Sequence, residues 1–166
     1  GTDRNGTVVR LARRNNAQRA NVKVTRGSGS ELRFPPKSFD LVLSVGAPTY
    51  FPLGKYIFEA ASIVAPGGTI SFSAGYRQHE HHLVEAEVKQ AAKENGLEFV
   101  RYTDITPNTF ASLKADVPRR IELVNRVPWP FRLYGHKWAD LPGSPEYQEY
   151  EEGRRTDFAV VLRSPL

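Results

Sequence analysis

The chain has 166 residues, long enough for a hydrophobic core of its own, and at 40% hydrophobic and 25% charged residues it has the balance of an ordinary folded domain. No window approaches the roughly 18 apolar residues of a membrane-spanning helix. Zero cysteine excludes disulfides, thiolate metal sites and cysteine nucleophiles together, and fits a cytoplasmic location. The net charge of +5 is spread over Arg10, Arg13, Arg14, Arg19, Arg119, Arg120, Arg126, Arg132, Arg154 and Arg155, which reads as a solvated surface rather than a nucleic-acid patch.

In chain order, Gly1-Thr2-Asp3 reads as a strand end with an acid at its carboxyl tip. Thr7–Gln18 places Val8, Leu11 and Ala12 on one helical face and arginines on the other. Asn21–Thr25 alternates and is β-prone, and residues 27–30 (Gly-Ser-Gly-Ser) are a loop. Phe39–Gly75, FDLVLSVGAPTYFPLGKYIFEAASIVAPGGTISFSAG, is the most informative stretch. Leu41–Val45 is a buried apolar strand running into small residues and then aromatics. An amphipathic helix through Tyr56–Val64 follows, Pro66-Gly67-Gly68 stops it, and Thr69–Ser73 is the next strand. That is a βαβ unit of a parallel sheet.

Glu80–Asn95 carries Leu83, Val84, Val88, Ala91 and Ala92 at helical spacing, and Asn95-Gly96 is a C-terminal stop. Leu97–Tyr102 is a strand. Thr106 is an N-cap with Pro107 at the first helical position. Pro118 is expected to interrupt this helix, with Arg119–Arg126 forming a second short one. Val127–Tyr150 is rich in Pro, Trp, Tyr and Gly. Aromatic residues at that density favour burial, so residues 106–150 read as a helical lid or substrate cap inserted in a single domain spanning 1–166. Thr156–Leu162 is a closing strand.

The residues LRFPPKSFD before the Leu41 strand and APGG before the Thr69 strand resemble class I S-adenosylmethionine-dependent methyltransferases of the small-molecule type. Arg33 and Ala65 depart from the family pattern without touching cofactor chemistry. The resemblance implies an α/β, Rossmann-like sheet, mostly parallel, with an antiparallel C-terminal strand. It aligns Gly1–Asp3 with the end of the family's second strand. The family's first strand and its G-x-G-x-G loop have no counterpart here, and the chain contains no methionine. The expectation is an N-terminally incomplete domain with unpaired sheet edges, poorly soluble alone. The other reading has another chain, such as a second copy in a homo-oligomer, or a rearranged strand in the gap.

The resemblance implies a set of cofactor residues. Asp3 would accept the ribose hydroxyls of S-adenosylmethionine, or else cap the next helix. Arg4 would flank the adenine. Ser28 and Gly29 would meet its edge, Gly29 through its backbone N–H. Ser44, Val45 and Gly46 would line the methionine part. Ala47-Pro48-Thr49-Tyr50 is similar to an Asn-Pro-Pro-Tyr loop, but Ala47 lacks the amide that accepts amine hydrogens, which speaks against methylation of base amino groups. Tyr50 and Phe51 either wall the substrate and cover the sulfonium or simply pack.

His79 and His82 share a helical face, and no metal is expected, because H-E-x-x-H and cysteine are both absent. A general base from His79, His81 or His82, with His79 first because it lies nearest the strand end and Asp104 orienting the imidazole, is the chemical reading. A solvated helix start with Asp104 capping the Thr106 helix is the structural one. His136 is the other base candidate. Trp129, Phe131, Tyr134, Trp138, Tyr147 and Tyr150 suggest an apolar or aromatic acceptor. Two further readings are a methyltransferase-like binding or scaffold protein without catalysis, and an RNA methyltransferase, the latter on the pI of about 9.6 alone.

Overall fold

The computed structural model describes residues 1–132, 134–136 and 138–166. The elements run β1 (Thr2–Asp3), α1 (Gly6–Asn15), β2 (Thr25–Arg26), β3 (Phe39–Val45), a single 3-10 turn (Ala47–Tyr50), α2 (Leu53–Ile63), β4 (Val64–Arg77), α3 (His81–Glu94), β5 (Glu98–Asp104), α4 (Thr106–Asn125), α5 (Arg132–Trp138), α6 (Pro145–Glu151) and β6 (Arg155–Arg163). Two sheets result. β1 and β2 form a short parallel pair, and the larger sheet has the order β3-β4-β6-β5. β3 and β4 are parallel, and β6 runs antiparallel to both β4 and β5. The expected antiparallel closing strand is therefore present, inserted between β4 and β5. The Asn21–Thr25 strand is reduced to Thr25–Arg26, shifted towards the chain's carboxyl end.

One face of the larger sheet makes the core. Ile70, Phe72 and Ala74 of β4 and Phe158, Val160 and Leu162 of β6 point to it. Leu53, Ile57 and Ala60 of α2 and Val84, Val88 and Ala92 of α3 cover it. The period of two in the strands and of 3.6 in the helices puts these residues on facing surfaces.

Four expectations are corrected. The Leu41–Val45 strand is not buried: Leu43 is 63% and Val45 78% exposed. β3 is an edge strand, and α2 and α3 cover only the face holding Val42 and Ser44, so the alternate residues look into open space. The Pro66-Gly67-Gly68 turn does not separate helix from strand. β4 begins at Val64, pairs with Phe39, and resumes its register at Leu41–Thr69 across an irregularity that absorbs the three residues. Pro118 does not break its helix; α4 runs through it for 20 residues. Packing on either side, with Leu113 and Val124 buried, carries the helix through the backbone bond lost at proline, and Asp116 receives Arg119 at 2.6 Å and Arg120 at 2.9 Å across that turn. Lastly, the aromatic segment is largely unburied. Tyr147 is buried, but Trp129, Phe131, Tyr134 and Trp138 stand out from the surface.

The segment 106–151 is nevertheless anchored. Tyr150 donates to buried Asp157 at 2.5 Å and stacks on Phe110 at 5.3 Å. Arg77 reaches Glu146 at 2.7 Å and Glu149 at 3.2 Å. Gly75 is required beneath this network: a Cβ there would lie 2.1 Å from Asp157 Oδ1. Burial, reinforced by the hydrogen bond to Asp157 and by its charge, pushes the Tyr150 hydroxyl above its ordinary pKa.

Candidate functional site

The carboxyl ends of β1, β2 and β3 lie together, as ligand-facing loops do in open α/β sheets. Asn5 rather than Asp3 caps α1, accepting from Thr7 N at 2.9 Å and Val8 N at 3.4 Å. Asp3 is exposed at the strand tip. Its Oδ1 accepts from Asn5 N at 2.7 Å, which restrains the carboxylate. The Asp3 carbonyl accepts from Gly27 N at 3.0 Å, bringing the 27–30 loop to the same end. There Ser28 Oγ and Ser30 Oγ are 2.9 Å apart, so the Ser28 hydroxyl is partly occupied.

The loop after β3 closes over these residues. Gly46 has φ +73° and donates its N–H to Ser73 O at 2.9 Å, a conformation that glycine takes without strain. Thr49 Oγ1 accepts from Gly75 N at 3.1 Å and pins the turn to β4. The tip of the Phe51 ring packs on Gly29: a Cβ on Gly29 would sit 2.7 Å from Phe51 Cζ. The Arg4 guanidinium lies 6.0 Å from the Tyr50 ring centroid. Asp3, Arg4, Ser28, Gly29, Ser44, Val45, Gly46, Tyr50 and Phe51 thus converge on one end of the fold. Of the two aromatics, Phe51 packs and Tyr50 is open to solvent.

A cavity of about 520 Å³ runs along β3, lined by Thr2, Thr25, Gly29, Phe39, Leu41, Ser44 and Tyr56 among others. Its length from Phe39 to Ser44 shows that it is the space between the two sheets, whose facing edges are both unpaired. The Tyr56 hydroxyl is buried there without a hydrogen-bond partner, near Ser44 but outside bonding geometry with it. Burial pushes its pKa up to about 12.

The histidines separate. His79 is exposed, its ring 5.1 Å from Tyr76 and its Nδ1 2.5 Å from Arg77 O. His82 is exposed beside Glu80 at 3.3 Å. Asp104 is joined by His81 instead, with Nε2 to Oδ1 at 3.1 Å. His81 Nδ1 also meets the Tyr102 hydroxyl at 2.8 Å, and its Nε2 meets Thr106 Oγ1 at 3.2 Å. Burial, and then the charges of Asp104 and Glu85, push the Tyr102 hydroxyl above its ordinary range. Asp104 also accepts from Thr106 N at 2.8 Å. The pairing and the helix-start role expected of Asp104 therefore coexist. Sequence reasoning passed over Tyr102 and Thr106. The available signal was period two in β5, which sets Tyr102 and Asp104 on one face.

Lateral spacing separates the two clusters. β5 is three strand steps from β3, or about 14 Å at roughly 4.8 Å per step. Trp129, Tyr134, His136 and Trp138 are exposed in the α4–α5 region. No three His, Asp or Glu side chains converge as a metal site among the described residues.

Residues 1–68 match a family model described as a methyltransferase domain. No curated protein matches the chain by sequence. Solved structures share its fold. A protein assigned as a sarcosine dimethylglycine methyltransferase from Galdieria sulphuraria superposes with TM-score 0.76 at 16% identity, covering 99% of this chain and 68% of its own. The Haemonchus contortus phosphoethanolamine N-methyltransferase 2, in complex with S-adenosyl-L-methionine, gives 0.81 at 15% identity, over 100% of this chain and 43% of its own. The [4+2]-cyclase SpnF gives 0.73 at 16% identity, over 100% and 66%. The chain thus spans between about two fifths and two thirds of these proteins' lengths.

Proposed function

We propose that this chain, which shares its fold with S-adenosylmethionine-dependent methyltransferases, binds S-adenosylmethionine and serves methyl transfer to a small-molecule acceptor. The observation that carries the reading is the convergence of Asp3, the 27–30 loop and Ser44–Gly46 at the carboxyl ends of three strands. The donor set suits the cofactor: an exposed carboxylate, restrained by the Asn5 N–H, that can accept from ribose hydroxyls, and open backbone at Gly46 that a ligand can approach closely. When bound, S-adenosylmethionine supplies an electrophilic methyl group on a sulfonium.

What the chain's own residues do is bind, orient and exclude water. Asp3 orients the nucleoside end. Tyr50, unburied and next to Arg4, offers an aromatic face to the sulfonium or the acceptor. The rings of Trp129, Tyr134 and Trp138 suit an apolar or aromatic acceptor, which the lid would cover. His81 is better suited to holding α3 against β5 and α4 than to taking a proton, since both its ring nitrogens are engaged. Where the acceptor is a hydroxyl, the exposed His79 and His82 are the first candidates for the base, and Tyr50 and His136 follow.

Calorimetry with S-adenosylhomocysteine tests the reading. Asp3→Ala removes a charge-assisted hydrogen bond of about 1.5–3 kcal/mol, or roughly 10- to 150-fold in affinity. Equal affinity of the variant would take Asp3 off the ribose, and absence of binding by the parent protein would overturn the cofactor assignment.

A further inference from the structure

The lid segment presents a surface that the fold leaves uncovered. Trp129, Phe131, Tyr134 and Trp138 are 79%, 63%, 82% and 85% exposed. At 3.6 residues per turn, Phe131, Tyr134 and Trp138 fall within an arc of about 60° of α5. The small residues turn inward. A Cβ on Gly135 would lie 3.2 Å from Val124 Cγ1, and Ala139 is buried with Val124 and Leu141. The helix is therefore two-sided, with its rings facing solvent. Large rings exposed side by side mark an interaction surface.

Within the segment itself the charge has one sign, while Asp140 and Glu146 border Tyr134 and Trp138 in a shared hollow. Residues 126–138 contain Arg126, Arg132 and Lys137 and no Asp or Glu. Arg132 donates to Val127 O at 3.1 Å and Asn125 O at 3.0 Å, which holds its guanidinium beside the Trp129 turn without neutralising it. Arg126 shares its charge with Glu122. The acids that follow are already engaged, Asp140 with Arg120 at 3.5 Å and Glu146 with Arg77 at 2.7 Å. Tryptophan and tyrosine, apolar in body and polar at one edge, rimmed by arginine, have the chemistry of the bilayer interface.

We propose that this face docks on an anionic lipid surface. Trp129 and Trp138 enter the boundary between headgroups and chains, and Arg126 and Arg132 meet lipid phosphates. The chain's net charge of +5 adds a longer-range attraction. Trp129 and Trp138 are also among the rings proposed to face the acceptor, but lipid binding is read without cofactor or acceptor, so its failure and that of the proposed activity are distinguishable.

Trp129 and Trp138 are the only two tryptophans in the sequence, so intrinsic emission reads this face alone. Vesicles of phosphatidylcholine with phosphatidylglycerol should shift the emission of the 166-residue chain to the blue, and brominated acyl chains should quench it. Phosphatidylcholine alone should do neither. Arg126→Gln should lower the partition coefficient about fivefold, the factor expected for one basic residue near such a surface. The double variant Trp129→Ala/Trp138→Ala should lose co-sedimentation. Because both rings are exposed, its fold should persist by far-UV circular dichroism. Should that variant not fold, the conservative Trp129→Phe and Trp138→Phe proteins must each still be quenched by brominated lipid. The proposal is overturned by unchanged emission in anionic vesicles, or by wild-type sedimentation of a folded double variant. It is also overturned by a blue shift that appears without vesicles together with a rise in mass, which would mark a second copy as the partner.

Discussion

Tyr150→Phe removes one hydroxyl from a site where little else changes. The ring keeps its 5.3 Å stack on Phe110, and the lost group is the donor to Asp157 Oδ2 at 2.5 Å. Asp157 is 6% exposed, so water cannot readily replace that donor. Hydrogen bonds to charged groups contribute about 1.5–3 kcal/mol. Arg155 Nε remains 3.5 Å from Oδ1, a partial substitute, which places the expected cost near the lower end, about 1.5–2 kcal/mol. At roughly 2–4 °C per kcal/mol for a chain of this size, the melting temperature should fall by about 3–8 °C. Asp157→Ala should cost more, about 3–5 kcal/mol, because it leaves the Tyr150 hydroxyl without its acceptor and Arg155 with only Glu149 at 3.6 Å as a carboxylate partner. Urea unfolding of both single variants and the double variant gives the coupling, expected at or above about 1 kcal/mol. A Tyr150→Phe cost below about 0.5 kcal/mol, or costs that simply add, would refute the account of how α6 is clasped to the sheet.

His81→Ala removes contacts to Tyr102, Asp104 and Thr106 and should cost about 1–3 kcal/mol in urea unfolding while S-adenosylhomocysteine affinity stays unchanged; a loss of turnover with intact stability would make His81 a base instead. The Asp116 carboxyl is held down to about 2, first by its hydrogen bonds to Arg119 and Arg120, so its pairing should persist above the ordinary carboxylate pKa and be lost as pH falls through about 2. Carbon-detected NMR reads that titration, and Arg119→Ala should move it upward. Leu43→Lys, on the exposed face of the edge strand, should raise the soluble monomer fraction by light scattering; unchanged association would show that β3 is not the adhesive edge.

Much of the architecture was legible locally. The alternating run at 158–162, the 3.6 period of α3 and the Asn95-Gly96 stop each encode their element within a few residues. Gly96 indeed takes φ +66°. The misread helix at Pro118 shows where local rules lose. A single missing N–H did not end a helix whose residues Leu113 and Val124, on either side of it, are buried by other parts of the fold. The candidate site was legible to the extent that it lies at strand ends. Asp3, the 27–30 loop and Ser44–Gly46 are set by where strands stop, and strand ends are a sequence property. Which histidine meets Asp104 was not legible. Helix α3 begins at His81, so a shift of one or two residues in that start decides which ring faces β5.

The sequence by itself determined the order and type of the elements, the parallel βαβ unit and the amphipathic faces of α2 and α3, because period and turn chemistry act over neighbouring residues. Burial was decided only in three dimensions. Leu41, Leu43 and Val45 have the composition of a core strand yet are exposed, and Trp129, Tyr134 and Trp138 face solvent despite their apolar bodies. Whether an apolar residue is covered depends on what another part of the fold brings against it. No property of the residue itself can specify that partner.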